Sequence, residues 1–127
     1  NQMPETVEQN KWLSAVAGLE NARQWDAAEL GYTTAIELWD KSFIAWMGLG
    51  NSLYNQNNLI ASTEAFERAT ELQPENGMAY NNLAHVLAEQ GRLDEALAAA
   101  RRAVAIGGPF QETFSQTLEE VELMLKD

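Results

Sequence analysis

A spacing of 34 residues recurs along this chain and constrains its fold more than any other feature. Large aromatic residues stand at this distance as Trp12, Trp46 and Tyr80. In the same register follow Leu19, Leu53 and Leu87, then Ala35, Ala69 and Ala103. A fixed period of this length is typical of a stack of small units, each of which buries its apolar face against its neighbour. The period divides the chain into three units at residues 9–42, 43–76 and 77–110.

Each unit contains two apolar stripes with helical spacing. In the second unit the first stripe is Trp46, Leu49, Gly50 and Leu53, and the second is Leu59, Phe66, Ala69 and Leu72. Steps of three, four and seven residues place side chains on one face of an α-helix. The segments between the stripes, "NARQ", "NQNN" and "EQGR", contain residues that favour turns. We therefore predict an all-α fold with two amphipathic helices in every unit.

Small residues recur where the two helices of a unit are expected to touch. They are Gly50 and Ala84 on first helices, and Ala28, Ser62 and Ala96 on second helices. Small side chains allow the helix axes to approach closely. Val16 interrupts this pattern and predicts a looser or rotated first unit.

A seventh helix is predicted after the third unit. Phe114, Leu118, Val121 and Leu125 follow one another in steps of four, three and four, which predicts a helix over residues 111–126. Repeat stacks need a terminal element with a polar outer face, so this helix is expected to cap the stack. The length of 127 residues is typical of one hydrophobic core, and residues 1–127 are predicted to form a single domain.

The period and its motifs resemble the tetratricopeptide repeat (TPR). The resemblance is carried by "WMGLGNSLYNQNNL" and "STEAFERATELQP" in the second unit and by "YNNLAHVLAEQGRLDEALAAARRAVAIGG" in the third. The chain departs from the family pattern at Ala15 and Val16, at Ser62 and at Ala100. The resemblance implies an α-solenoid of three helix-turn-helix repeats with a capping helix. It also implies a scaffold for protein binding that needs no cofactor.

A second stretch resembles part of another class of protein. The segment "LAEQGRLDEALAAARRAVAIGGP" with the later "TLEEV" is similar to the C-terminal repeat region of some bacterial papain-like cysteine peptidases, related to the double-glycine class. This resemblance implies a bacterial protein in which the chain is the non-catalytic tail of a covalently linked upstream domain. The chain contains no Cys, so the nucleophile of such an enzyme is not within it.

Composition and charge exclude several classes of function. The net charge of -11 repels phosphate backbones and anionic membranes, so no nucleic acid partner is expected. The sequence has no apolar run near the roughly 20 residues that a membrane span requires, so no membrane insertion is expected. A soluble protein of the bacterial cytoplasm or periplasm is predicted. His85 is the only His, so we predict no catalytic residue, no metal site and no enzyme activity.

Candidate binding residues lie on the first helices, which line the concave side of a curved repeat stack. Positions outside their apolar stripes are Met47, Asn51, Tyr54, Asn55, Met78, Asn81, Asn82 and His85. An Asn side chain both donates and accepts hydrogen bonds, which suits the backbone of an extended peptide. The family resemblance implies that Asn51 and Asn82 occupy peptide-gripping positions. Positions where the family's carboxylate-binding members carry basic residues hold Leu13, Met47, Met78 and Asn82, which argues against such a clamp.

Two functions remain open from the sequence. In the first, the repeats capture an extended or helical segment of another protein in the groove. In the second, the repeats are structural or regulatory, and they pack against another domain of the same polypeptide or against a second copy of the chain.

Overall fold

A computed structural model describes residues 5–127, which form seven α-helices and no β-strand. The helices are α1 (Glu5–Asn21), α2 (Trp25–Leu38), α3 (Phe43–Asn55), α4 (Leu59–Leu72), α5 (Gly77–Glu89), α6 (Leu93–Ile106) and α7 (Gln111–Lys126). The predicted all-α repeat fold is confirmed. Residues 1–4 of the predicted domain lie outside the described residues.

The helix boundaries repeat with the period of the sequence. The second helices α2, α4 and α6 begin at residues 25, 59 and 93 and end at 38, 72 and 106. The helices α3, α5 and α7 begin at 43, 77 and 111, again 34 residues apart. The helix predicted after the third unit therefore begins in the register of a first helix of a further repeat.

The turn inside each unit contains a residue in the left-handed region at the same position. The φ angles are 60° at Arg23, 64° at Asn57 and 76° at Gly91. The following residue donates its backbone N–H to the carbonyl five residues earlier, in the pairs Gln24–Leu19, Asn58–Leu53 and Arg92–Leu87. This is the Schellman arrangement that ends many helices. The turn geometry is thus kept in all three units even where the residue is not Gly.

Side chains cap the first helices of the second and third units at equivalent positions. Ser42 Oγ accepts a hydrogen bond from the backbone N–H of Ala45 at 3.1 Å. Asn76 Oδ1, 34 residues later, accepts one from the backbone N–H of Met78 at 3.1 Å. Such caps satisfy a backbone donor that the helix itself leaves unpaired, and thereby fix where α3 and α5 begin.

The chain divides into two compact units, Asn1–Ala65 and Phe66–Asp127, with the boundary inside α4. In unit 1, α1 packs against α2 and α3, and α2 packs against α3. The core of this unit contains Leu13, Val16, Ala28, Tyr32, Ala35 and Ala45. Leu13 was placed at a groove position from the sequence, and its exposed fraction of 6% corrects this placement. It is a core residue because α1 contacts two helices rather than one.

Val16 does not loosen the first helix pair, contrary to the sequence-based expectation. Its side chain is 3% exposed and lies against Gly31 of α2. A Cβ added to Gly31 would be 2.7 Å from Cγ2 of Val16. The later units have Ala65 and Ala99 at the position of Gly31. The larger residue on α1 is therefore matched by a smaller one on α2, and the helices remain closely packed there.

In unit 2, α5, α6 and α7 pack against one another. Phe114 of α7 is 2% exposed, and its ring lies against the Cα of Gly77 at the start of α5. Val121 is also 2% exposed, whereas Leu125 is 40% exposed, so the buried stripe of α7 ends before Leu125. The acidic residues Glu119, Glu120 and Glu122 are exposed, as expected for a helix with a polar outer face.

Candidate functional site

The predicted groove residues are divided between one helix of each unit. α3 in unit 1 carries Met47, Asn51, Tyr54 and Asn55. α5 in unit 2 carries Met78, Asn81, Asn82 and His85. Because these helices belong to different units, the surroundings of each set are described separately.

In unit 1 the structure brings two of the predicted residues together with a carboxylate. The hydroxyl of Tyr32 donates to Oε1 of Glu20 at 2.6 Å. Nδ2 of Asn51 donates to Oε2 of the same carboxylate. Nδ2 of Asn55 donates to the backbone carbonyl of Asn51 at 2.8 Å, one turn earlier on α3. We call Glu20, Tyr32, Asn51 and Asn55 the Glu20 cluster, and it joins α1, α2 and α3.

The position of Tyr32 depends on the absence of a side chain at Gly48. The aromatic ring occupies the space into which a Cβ of residue 48 would project. Asn51 follows Gly48 by three residues and therefore lies on the same face of α3. A glycine on α3 thus allows the Tyr32 ring to be buried while Tyr32 and Asn51 both contact Glu20.

The hydroxyl of Tyr32 is held in its protonated form. Burial raises the pKa of Tyr32, and the hydrogen bond to Glu20 and the negative charge of Glu20 raise it further. All three effects disfavour the phenolate, which would be both desolvated and next to a carboxylate. Tyr32 is consequently a stable hydrogen-bond donor to Glu20 at neutral pH.

The Glu20 cluster is partly open to solvent and keeps unused acceptor capacity. Glu20 and Asn51 are half-buried, and Asn55 is exposed. The Oδ1 atom of Asn51 lies 3.4 Å from Nδ2 of Asn55, which is a long contact. A carbonyl oxygen accepts two hydrogen bonds, so Oδ1 of Asn51 has capacity for an N–H group of a ligand. Met47 and Tyr54, on the same helix, are half-buried.

In unit 2 the predicted residues do not form one cluster. His85 is exposed, and its Nε2 atom lies 3.2 Å from Oγ1 of Thr117 on α7. Met78 and Asn82 are half-buried. Asn81 is 3% exposed, and within residues 5–127 its Oδ1 atom has no hydrogen-bond partner. This burial corrects the predicted place of Asn81 on an open surface, since α5 is packed by both α6 and α7.

The sequence interpretation missed Tyr32 as part of this site. Its position matches that of Phe66 in the next repeat, so it was assigned to packing alone. The signal available was the hydroxyl, because a Tyr that is 2% exposed requires a hydrogen-bond partner that Phe does not.

A second surface feature of unit 1 is an apolar cleft between α1 and α2. Its volume is about 430 Å³, and its lining residues are Trp12, Ala15, Val16, Leu19, Ala27, Leu30, Gly31 and Thr34. The indole N–H of Trp12 donates to the carbonyl of Gly31 at 2.8 Å, while 40% of the residue is exposed. Leu30 is 69% exposed, at a position where the next repeat has Glu64. We call this the α1/α2 cleft.

Metal and membrane sites were also sought. Across residues 5–127, no three His, Asp or Glu side chains are grouped so that they could hold a metal ion. None of the helices in this described range combines the length and apolar character needed to cross a membrane.

Comparisons with known proteins agree with the repeat geometry. The family model described as tetratricopeptide repeat matches residues 13–62 and 50–111. The peroxisomal targeting signal receptor of Candida albicans is 31% identical over 91 residues, which cover 72% of this chain and 15% of that protein. The chain therefore corresponds to a small part of the length of this curated relative.

Solved structures match nearly the whole chain. PcrH, a protein of Pseudomonas aeruginosa, in complex with the chaperone binding region of PopD has a TM-score of 0.89 at 17% identity and covers 99% of this chain and 98% of its own. The type III secretion chaperone SycD of Yersinia enterocolitica, with a peptide of the translocator YopD, has a TM-score of 0.85 at 17% identity and covers 96% of each chain. At these identities the likeness concerns the fold. With the family model matched over most of its length, the chain belongs to the tetratricopeptide repeat family.

Proposed function

We propose that this chain is a protein-protein interaction module that captures a segment of another protein on the first helices of its repeats. The observation that carries this proposal is the Glu20 cluster, in which Asn51 is held by a hydrogen bond to Glu20 while Oδ1 keeps acceptor capacity. The fold is also shared with SycD and PcrH, whose solved complexes contain a peptide of YopD and a region of PopD.

Pre-organisation explains why Asn51 suits this task. Ordering a side chain on binding costs about 0.5–1.5 kcal/mol, and a side chain that is already held avoids part of this cost. The amide of Asn51 accepts a backbone N–H of the segment without reading its sequence. Met47 and Tyr54 provide apolar contacts beside it, and the flexible Met side chain adapts to different partners.

Unit 2 contributes a separate set of contacts in this proposal. Met78, Asn82 and His85 are at least partly exposed on α5 and are available to a segment. Asn81 is left out of the proposed surface because it is buried.

The proposal is tested with overlapping peptides that tile the proteins encoded in the source genome, displayed on an array. We expect Asn51→Ala to weaken binding of captured peptides by about tenfold, the loss of one or two hydrogen bonds. Gln116→Ala, which removes an exposed amide from α7, is the matched control and should bind normally. Unchanged binding by Asn51→Ala, with unchanged helicity by circular dichroism, would contradict the assignment.

The α1/α2 cleft favours a second candidate function. An exposed apolar cleft of this kind suits packing against another helix, either from a linked domain such as the upstream peptidase domain implied by the second sequence resemblance, or from a second copy of the chain. Sedimentation of the wild type and Leu30→Glu tests the self-associating form. An oligomer that becomes monomeric in Leu30→Glu would support it, and a monomeric wild type at high concentration would contradict it.

A further inference from the structure

We infer that Glu20 is a receptor for a positively charged group, a Lys ammonium or an Arg guanidinium, on the segment that the module captures. This inference rests on the proposed function and concerns the same surface of unit 1.

The carboxylate of Glu20 is held by neutral donors and lacks a cation. Tyr32 donates to one oxygen and Asn51 to the other. Among residues 5–127, the Lys or Arg ion pairs are Arg68–Glu71 and Arg92–Glu95, both in unit 2. A carboxylate oxygen accepts two hydrogen bonds, so each oxygen of Glu20 has capacity for one more donor. The site therefore has an uncompensated negative charge and vacant acceptor positions.

The fold does not require a carboxylate at this place. The residues that stand 34 positions after Glu20, Tyr32 and Asn51 are Tyr54, Phe66 and His85. None of these is an acid, although the helices that carry them belong to the same repeat pattern. Helix packing in the repeat is thus compatible with uncharged residues, and the charge at Glu20 calls for another explanation.

The geometry suits recognition of a cation. Donors from two different helices fix the orientation of the carboxylate, so it loses little freedom when a ligand binds. Glu20 is half-buried, and charge-assisted hydrogen bonds are stronger where water screens them less. The net charge of -11 also attracts basic segments and raises their association rate.

The experiment uses four pools of decapeptides that are random at nine positions and contain Lys, Arg, Gln or Glu at the fixed central position. We expect the wild-type chain to retain the Lys or Arg pool roughly tenfold better than the Gln pool, in line with a hydrogen bond to a charged group. Glu20→Gln should lose this preference, and Asn51→Ala should bind every pool more weakly. The relative retention of the Lys and Arg pools identifies which cation fits better.

Two control variants separate charge from structure. Glu119→Gln removes one charge from the exposed face of α7 and should keep the preference. Tyr32→Phe removes a hydrogen bond from the Glu20 cluster but keeps the carboxylate, and it should also keep the preference. If Glu20→Gln is less stable, its binding is compared with that of Tyr32→Phe at a temperature at which both are folded.

The possible failures are distinguishable. If Asn51→Ala lowers retention of all pools but Glu20→Gln keeps the wild-type preference, the inference about Glu20 is wrong and the proposed function stands. If the wild type retains no pool above an unrelated helical protein, the proposed function itself is contradicted, and the inference with it.

Discussion

Val16 lies against Gly31 so closely that a Cβ added to Gly31 would be 2.7 Å from Cγ2 of Val16. Both residues are buried between α1 and α2. At the same two positions the second unit has Gly50 and Ala65, and the third has Ala84 and Ala99. The first unit thus exchanges which helix carries the smaller side chain.

This relationship predicts strong coupling between the two positions. We expect Gly31→Ala alone to destabilise the chain by about 1–3 kcal/mol, the usual cost of forcing an extra methyl into a packed core. In a Val16→Ala background the same change should cost much less, because the space has been vacated. Urea unfolding of the four variants of this double-mutant cycle measures the coupling. Additive effects would show that the two side chains do not share one space.

The turns predict a stabilising substitution. Arg23 has a φ of 60°, a conformation that costs a non-Gly residue about 1–2 kcal/mol. Arg23→Gly relieves this cost, and we expect a net gain of about 0.5–1 kcal/mol after the greater flexibility of Gly in the unfolded chain is included. The readout is the melting temperature. Gly91→Ala, at the equivalent turn of unit 2, is the opposite change and should lower it.

The Glu20 cluster predicts a specific alkaline behaviour. The pKa of Tyr32 is raised in the folded chain, whereas in the unfolded chain it is ordinary, about 10. Above pH 10 the unfolded state therefore releases a proton that the folded state keeps, and stability falls as pH rises. Tyr32→Phe should be less stable than the wild type at pH 7 by roughly 1 kcal/mol, the loss of one hydrogen bond.

The difference between wild type and Tyr32→Phe should narrow between about pH 10 and 11.5, since Phe has no proton to lose. Urea unfolding at several pH values measures it. Tyr80→Phe is the matched control, and its difference from the wild type should stay constant over this range. A constant difference for Tyr32→Phe as well would argue that the hydroxyl is not bonded to Glu20.

The α1/α2 cleft predicts an unusually tolerant apolar position. Leu30 is 69% exposed, so Leu30→Glu should change the free energy of unfolding by no more than about 0.5 kcal/mol. By contrast, Trp46 is half-buried and its indole N–H donates to the carbonyl of Asp40 at 2.8 Å. Trp46→Ala should cost about 3 kcal/mol, at the lower end for large aromatic residues. Similar losses for both variants would contradict the described exposure of Leu30.

The fold was predictable because its signal is repeated. Three copies of one apolar pattern made the boundaries of α2, α4 and α6 readable, and Gly91 marked the turn that Arg23 and Asn57 also form. The candidate site was predictable only in part. Asn51 and Asn55 were identified as polar positions on a first helix, but Asn81, identified by the same reasoning, is buried. Helical spacing tells which face a residue occupies, and it does not tell how many neighbouring helices cover that face.

The sequence by itself determined the repeat length, the family, and the order of the helices and turns. These depend on local properties, namely helical periodicity and turn chemistry, that 34-residue spacing states three times over. Only the tertiary structure decided that Gly31 makes room for Val16, and that Tyr32 and Asn51 meet at Glu20. Those contacts join residues of different helices, 12 to 31 positions apart, so they depend on how the helices pack and leave no periodic trace in the sequence.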